Sequence, residues 1–250
     1  MREILYGRQP VRECLRARRR HIHRLILAEG VRKKGVIAEI LDLAAGLKLP
    51  VKYVPRPQLD NVSKINQGVA LEVAGYPYVE VADILSGARK LAEQPFIVAM
   101  DHLQDPHNLG ALLRTAEVVG THGAIIPHRR AAEVTPAVVS ASAGASEHLR
   151  VAQITNLART LETLKTDGLW VIGLVNHPDA QLHHQVDLDL PAVLVIGAED
   201  QGLSRLVRET CDLLVRLPMR GQIESLNASV AGGIALYAVQ SAHGFSDVAP

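Results

Sequence analysis

Phe96-Ile97-Val98-Ala99-Met100 is an unbroken apolar run that stops on Asp101-His102-Leu103-Gln104-Asp105-Pro106-His107-Asn108-Leu109-Gly110 and passes into a helical pattern over Leu109 to Val119. An apolar run without alternation suits a strand covered on both faces. Further short apolar runs follow at Ala124 to Ile126, Leu169 to Val175, Ala192 to Ile196 and Leu213 to Leu217, each bounded by Gly, Pro or charged residues. Helical patterns lie between and after them, at Leu157 to Leu164, Arg205 to Glu209 and Asn227 to Ala242. This alternation predicts an α/β fold with a mostly parallel sheet and helices on both faces.

Upstream, a helical stretch around Pro10 to Arg18, a strand at Arg24 to Ala28, a helix near Val36 to Leu47, and strands at Val51 to Val54 and Val69 to Ala74 outline a smaller α/β unit. The pattern loosens around Tyr76-Pro77-Tyr78 and resumes as a short helix from Val81 to Leu91. The expected organisation is therefore a small domain over residues 1–75, a linker over 76–95 and a larger domain over 96–250.

Charge separates the two parts. Residues 1–75 hold 15 Lys or Arg against 7 Asp or Glu, and residues 76–250 hold 12 against 19. Two basic clusters stand out in the first part: Arg16, Arg18, Arg19, Arg20 and Arg24 with His21 and His23, then Arg32, Lys33 and Lys34. A single cluster reads as a solvated charge run, but two in the basic part tilt the reading towards a polyphosphate partner such as nucleic acid.

Several function classes fall away. No apolar run reaches the length of a membrane span, and the first residues lack an export-signal pattern, so a cytoplasmic protein with no membrane partner is expected. Cys14 and Cys211 suggest two buried thiols rather than a disulfide or zinc site. Asp101, Asp105 and His107 have no spacing defined for a divalent ion, so no metal is expected. Adjacent Glu199 and Asp200 in a Gly-flanked turn do not make a glycosidase pair. Ser146 is not on a Gly-x-Ser-x-Gly elbow, and neither a dinucleotide-binding glycine turn nor a phosphate-binding loop is present.

In open α/β sheets ligands collect at the carboxyl ends of strands. Three segments there are unusual: Asp101 to Gly110 with Arg114; Ile196-Gly197-Ala198-Glu199-Asp200-Gln201-Gly202-Leu203-Ser204; and Leu217-Pro218-Met219 with Ile223-Glu224-Ser225-Leu226-Asn227-Ala228-Ser229-Val230. Taken singly, Asn108 reads equally as a helix N-cap and Arg114 as a surface ion-pair partner.

In this order and spacing the segments resemble the SpoU family of RNA ribose methyltransferases, and the likeness covers the whole chain. Asp105 to Gly110 with Arg114 is similar to the family's first motif, Gly197-Ala198-Glu199 with Gly202-Leu203-Ser204 to its second, and Leu217-Pro218-Met219 with Ser225 to Val230 to its third. Gly7 and Asn66-Gln67-Gly68 look like the family's N-terminal RNA-binding domain, and the nearest likeness is to bacterial enzymes that methylate a guanosine ribose in large-subunit ribosomal RNA. The resemblance implies a SPOUT-type fold with a deep C-terminal trefoil knot, a homodimer whose active site borrows from both subunits, and S-adenosylmethionine as cofactor. It implies cofactor contacts at Ile196, Gly197, Leu217, Met219 and Leu226, and catalytic residues at Asn108, Arg114, Glu199, Ser225 and Asn227. Asp200 departs from the glycine usual in the family, although Asp tolerates positive φ. Ribosomal RNA is the expected partner, with transfer RNA or a non-catalytic RNA-binding role as alternatives.

Methyl transfer to a ribose hydroxyl requires alignment of two substrates and dispersal of the hydroxyl proton. Family likeness gives the proton to Arg114, but a guanidinium stays charged, with a pKa of roughly 12 or above. Two roles stay open: a base with lowered pKa at the dimer interface, or a permanent cation that grips the adjacent phosphate, which costs less physically. Asn108 is expected to orient the ribose or Arg114. Ser225 and Asn227 are expected to bond the acceptor or cap the last helix. Glu199 is expected to accept from Arg114 or from the third-motif backbone.

Overall fold

A computed structural model describes residues 2–199, 201–223 and 225–245. The chain runs β1 (Arg2–Tyr6), α1 (Arg8–Ala17), β2 (Ile22–Ala28), α2 (Val36–Gly46), β3 (Val51–Val54), α3 (Arg56–Asp60), β4 (Val69–Ala74), α4 (Val81–Leu91), β5 (Phe96–Asp101) and α5 (Pro106–Val118). It continues as β6 (Gly123–Pro127), α6 (Pro136–Ala141), β7 (Val151–Ile154), α7 (Leu157–Thr166), β8 (Trp170–Leu174), β9 (Gln181–Leu182), β10 (Ala192–Gly197), α8 (Arg205–Thr210), β11 (Leu213–Arg216) and α9 (Ala228–His243). Two compact units result: the chain divides after Pro77, and Val134–His148 returns to the first unit.

The first unit is a four-stranded sheet in the order β1-β4-β2-β3, with β4 antiparallel to β1 and β2 and β3 parallel to β2. Alternation along β1 and β2 turns Leu5, Leu25 and Leu27 inward, where they are buried with Val11, Cys14 and Leu15 of α1 and Ile37 and Ile40 of α2. Each such aliphatic side chain contributes roughly 1.5–3 kcal/mol by leaving water. Gly7, at φ 95, lets β1 turn straight into α1. The returning segment carries α6 and a 3-10 turn at Ala145–Glu147. Its Glu147 is clamped by Arg20: Nη2 donates to Oε1 at 2.7 Å and Nε to Oε2 at 3.0 Å. Arg20 Nη1 also donates to Glu3 Oε2 at 2.7 Å, and Tyr76 donates its hydroxyl to Ser146 O at 2.8 Å.

The second unit is a seven-stranded parallel sheet in the order β7-β6-β5-β10-β8-β11-β9. Every residue of β5, β6 and β10 is buried. On one face Ile97, Ala99, Val193 and Val195 pack with Ile84 and Leu85 of α4, Leu161 and Leu164 of α7 and Val207 of α8. On the other, α5 and α9 lie so close that a Cβ on Gly232 would come 2.5 Å from Leu112 and 2.6 Å from Ile196. The stretch 76–95, expected as a linker, thus carries a helix whose apolar face belongs to this core, because Ile84 and Leu85 fall on its inner side. Cys14 is buried, whereas Cys211, also expected to be buried, is only partly so. Burial pushes the Cys211 thiol up to about 12, and its Sγ–H donates to Val207 O.

Candidate active site

Strand β10 ends on Gly197 and turns back at once. Gly202, at φ 61, donates its N–H to Ala198 O at 2.8 Å. A Cβ on Gly197 would stand 2.2 Å from the carbonyl carbon of Gly202, so only hydrogen fits between these two stretches of backbone. Asp101, fully buried at the end of β5 and in register with Gly197, holds the same loop: its Oδ2 accepts Ser204 N–H at 2.6 Å and its Oδ1 meets His102 Nδ1 at 2.6 Å. Asp200 lies outside the described residues.

Three polar side chains from the three separated segments meet above this loop. Asn108, buried in the first turn of α5, donates Nδ2 to Glu199 Oε1 at 2.8 Å. Asn227 donates Nδ2 to Asn108 Oδ1 at 2.9 Å and also to Glu199 Oε1, which further accepts Ala228 N–H at 3.4 Å. The other end of Asn227 caps α9, accepting the N–H groups of Ser229 at 2.9 Å and Val230 at 3.3 Å. The cap of α5 is Asp105, which accepts His107 N–H at 3.0 Å, so Asn108 is released from that duty. Glu199 is exposed, and its Oε1 takes all three of these hydrogen bonds.

Beside this triad the carboxyl ends of β8, β10 and β11 open a cleft. Its walls are Leu174 and Val175 at the end of β8, Ile196 to Glu199 and Gly202 at and beyond the end of β10, Leu217 and Met219 after β11, Ser225 and Leu226 before α9, and Ala228 and Ala231 in its first turn. A mostly apolar wall, backbone groups at tight turns and one carboxylate at the rim suit a ligand with a flat aromatic base and a cationic end. S-adenosylmethionine is such a molecule, and the Gly197–Gly202 approach gives it a backbone surface unobstructed by side chains.

All five residues expected at the cofactor line this cleft, and Ser225 lines it too. Arg114 does not. Six residues beyond Asn108 it lies about 240° around α5, exposed, with no hydrogen bond or ion pair among the described residues. Of the two partners expected for Glu199, the described residues show the third-motif backbone, through Ala228 N–H, and not Arg114. Leu174, Val175, Asn176 and Ala231 line the cleft without having been marked by the motifs, although the first three sit where the carboxyl-end rule looks. Among the described residues no group of three or more His, Cys, Asp or Glu is placed to hold a metal ion.

The first basic cluster is largely spent on structure. Arg16 pairs with Glu13 and Glu39, Arg24 with Glu72, and Arg20 with Glu3 and Glu147. Arg19 donates to Tyr76 Oη and to the carbonyls of Glu147 and Pro77. Apart from Glu13, three residues from Arg16, these partners are distant in sequence, which is why the cluster read as free positive charge.

Comparison with known proteins agrees with this geometry. Residues 95–237 match the SpoU rRNA Methylase family, and residues 4–79 match the family described as RNA 2'-O ribose methyltransferase substrate binding. A protein of Bacillus subtilis (strain 168), assigned by name to the TrmH family of tRNA/rRNA methyltransferases, is 44% identical over 95% of this chain and 94% of its own. A Mycolicibacterium smegmatis tRNA/rRNA methyltransferase, uncharacterized by its name, is 42% identical over 94% of this chain and 74% of its own. The crystal structure of the SpoU methyltransferase AviRb from Streptomyces viridochromogenes, in complex with the cofactor AdoMet, shares the fold. It has TM-score 0.79 and 23% identity, and covers 96% of this chain and 90% of that one. Fold and cleft together define an RNA methyltransferase that uses S-adenosylmethionine. The chain belongs to the SpoU methyltransferase family, the TrmH-like tRNA/rRNA methyltransferases.

Proposed function

We propose that the protein methylates a ribose 2'-hydroxyl in RNA, at a guanosine of large-subunit (23S) ribosomal RNA, in the cytoplasm and as a homodimer. The observation that carries this reading is the Asn108–Glu199–Asn227 triad at the rim of the cleft. When bound, S-adenosylmethionine supplies a methyl group on a positively charged sulfur. Ile196, Gly197, Leu217, Met219 and Leu226 hold the cofactor; Asn108, Ser225 and Asn227 orient the ribose; and Glu199 Oε2 accepts from a donor on either substrate. Holding the acceptor oxygen in line contributes much of the rate. The guanosine and the ribosomal RNA rest on the resemblance of the three motifs.

The homodimer is supported by a stripe along α9: Val230, Ile234 and Tyr237 are 50%, 44% and 47% exposed at helical spacing. Arg114 and Val118 share one face of α5, and Val118 is 61% exposed. A second copy seated there covers the apolar stripe and brings Arg114 to the partner's cleft. There it acts as a fixed cation that holds the phosphate next to the acceptor and eases loss of the hydroxyl proton. A C-terminal trefoil knot is supported by β11 entering the sheet between β8 and β9, both earlier in the chain.

The test is to map ribose methylation in RNA from cells lacking the protein and restore it with purified enzyme. Loss and recovery of one 2'-O-methylguanosine in 23S RNA is expected; a lost base methyl overturns the chemistry, and a lost transfer RNA methyl moves the substrate. Arg114→Ala abolishes transfer with cofactor binding intact. Mixing it with a cofactor-deficient chain restores activity if Arg114 serves the partner.

A further inference from the structure

The first unit carries positive charge that no carboxylate answers. Arg2, Arg12, Arg16, Arg20 and Arg24 each pair with a glutamate. Arg8, Arg32 and Arg56 have no ion pair or side-chain hydrogen bond among the described residues. They come from three elements, Arg8 opening α1, Arg32 two residues past the turn glycine Gly30, and Arg56 opening α3, yet they line one open cleft of about 540 Å3. Gathering like charges without a counterion is unfavourable, and a bound anion relieves it.

The remaining wall is ordered by its own hydrogen bonds. Gln67, at φ 55, accepts Arg8 N–H on its Oε1 at 2.9 Å and so caps α1, whose N-cap Gly7 has no side chain to do so. Behind it the buried Asn66 accepts Gly68 N–H at 2.7 Å and donates to Asp60 Oδ1 at 2.7 Å. Gly30, at φ 74, has no atom within 4 Å of where a Cβ would stand, leaving the floor open. No aromatic ring lines the cleft to stack on a base.

We infer that this cleft grips internucleotide phosphates of the RNA substrate, with Arg8, Arg32 and Arg56 as the contacting groups in place of the Arg16–Arg24 cluster. Planar guanidinium forks match phosphate oxygens in pairs, and the absence of a stacking ring makes the contact indifferent to base sequence. The inference rests on RNA being the substrate and adds where, and by which chemistry, the first unit holds it.

The test is fluorescence anisotropy of a fluorescein-labelled stem-loop RNA with the full-length chain, over a range of salt concentrations. Each of Arg8→Ala, Arg32→Ala and Arg56→Ala lowers the slope of log K against log salt by about 1. The triple variant loses the sum and binds at least tenfold more weakly at low salt, while Arg16→Ala leaves the slope unchanged. Circular dichroism and urea unfolding, unchanged in all variants, establish that they are folded. An unaltered slope in the triple variant overturns the inference, as does competition by inorganic phosphate as effective as by RNA, which marks a small-anion site. A reduced slope in a protein whose RNA acquires no ribose methyl leaves this site standing and removes the proposed reaction instead.

Discussion

Each unit is organised around a carboxylate held by nitrogen donors, but the two carboxylates are treated in opposite ways. Glu147 and Arg20 in the first unit are 1% and 0% exposed at their side chains, the pair is bidentate, and Glu3 takes a remaining guanidinium hydrogen. Glu199 in the second unit is exposed and held by two neutral amides and one backbone N–H, all on a single oxygen. A charge-matched buried pair completes itself and fixes a chain segment. A carboxylate held by neutral donors on one oxygen leaves its other oxygen without a bond from them.

The sharpest way to break the contrast is Glu147→Ala, which takes from the buried Arg20 its bidentate partner and leaves Glu3 as the carboxylate paired with it. A loss of about 3–5 kcal/mol is expected in urea unfolding. The double change Arg20→Met with Glu147→Leu recovers most of it; a loss under 1 kcal/mol in the single variant makes the pair ornamental. Next comes Gly197→Ala, whose methyl must displace the Gly202 backbone. It costs about 1–3 kcal/mol and abolishes S-adenosylmethionine binding by calorimetry, whereas Gly221→Ala, with nothing closer than 3.9 Å, is tolerated.

Asn227→Ala removes a helix cap and a triad member together, for about 1 kcal/mol of stability. Asn227→Asp keeps the cap but sets a second carboxylate against Glu199, so stability returns while methyl transfer, followed with radiolabelled cofactor, does not. The smallest effect concerns acid. Burial raises the Glu13 carboxyl, but His148 and Arg12 outweigh it and the net pKa lies below the usual 4.5. The Arg2 hydrogen bond does the same for Glu72. Depressed carboxylates stabilise fully above 4.5, and the contribution fades as pH falls through the lowered values. The urea midpoint of the first unit therefore declines below about pH 4.5, less so in Glu13→Gln; a midpoint flat to pH 3 removes these pairs from the account.

Strands covered on both faces were legible because both of their faces demand apolar residues, as in β5, β6 and β10. The three without an expectation, β1, β7 and β9, all stand at sheet edges, where one side of the ladder is unpaired and the apolar run is diluted. Helix α4 was located at its bounds, Val81–Leu91, but its allegiance was misjudged, since amphipathicity says that a face is buried and not in which core.

Local physics in the chain itself determined the buried strands, the capping turns before α5 and α9, and the glycines where backbone must touch backbone. It also marked the three segments that meet at the cleft, because each requires unusual residues at close spacing. Tertiary structure alone decided which charges are free and which are consumed, since Arg20 finds Glu147 across 127 positions while Arg8, Arg32 and Arg56 find no side-chain partner among the described residues. Electrostatic pairing depends on distance in space, and a sequence records only distance along the chain.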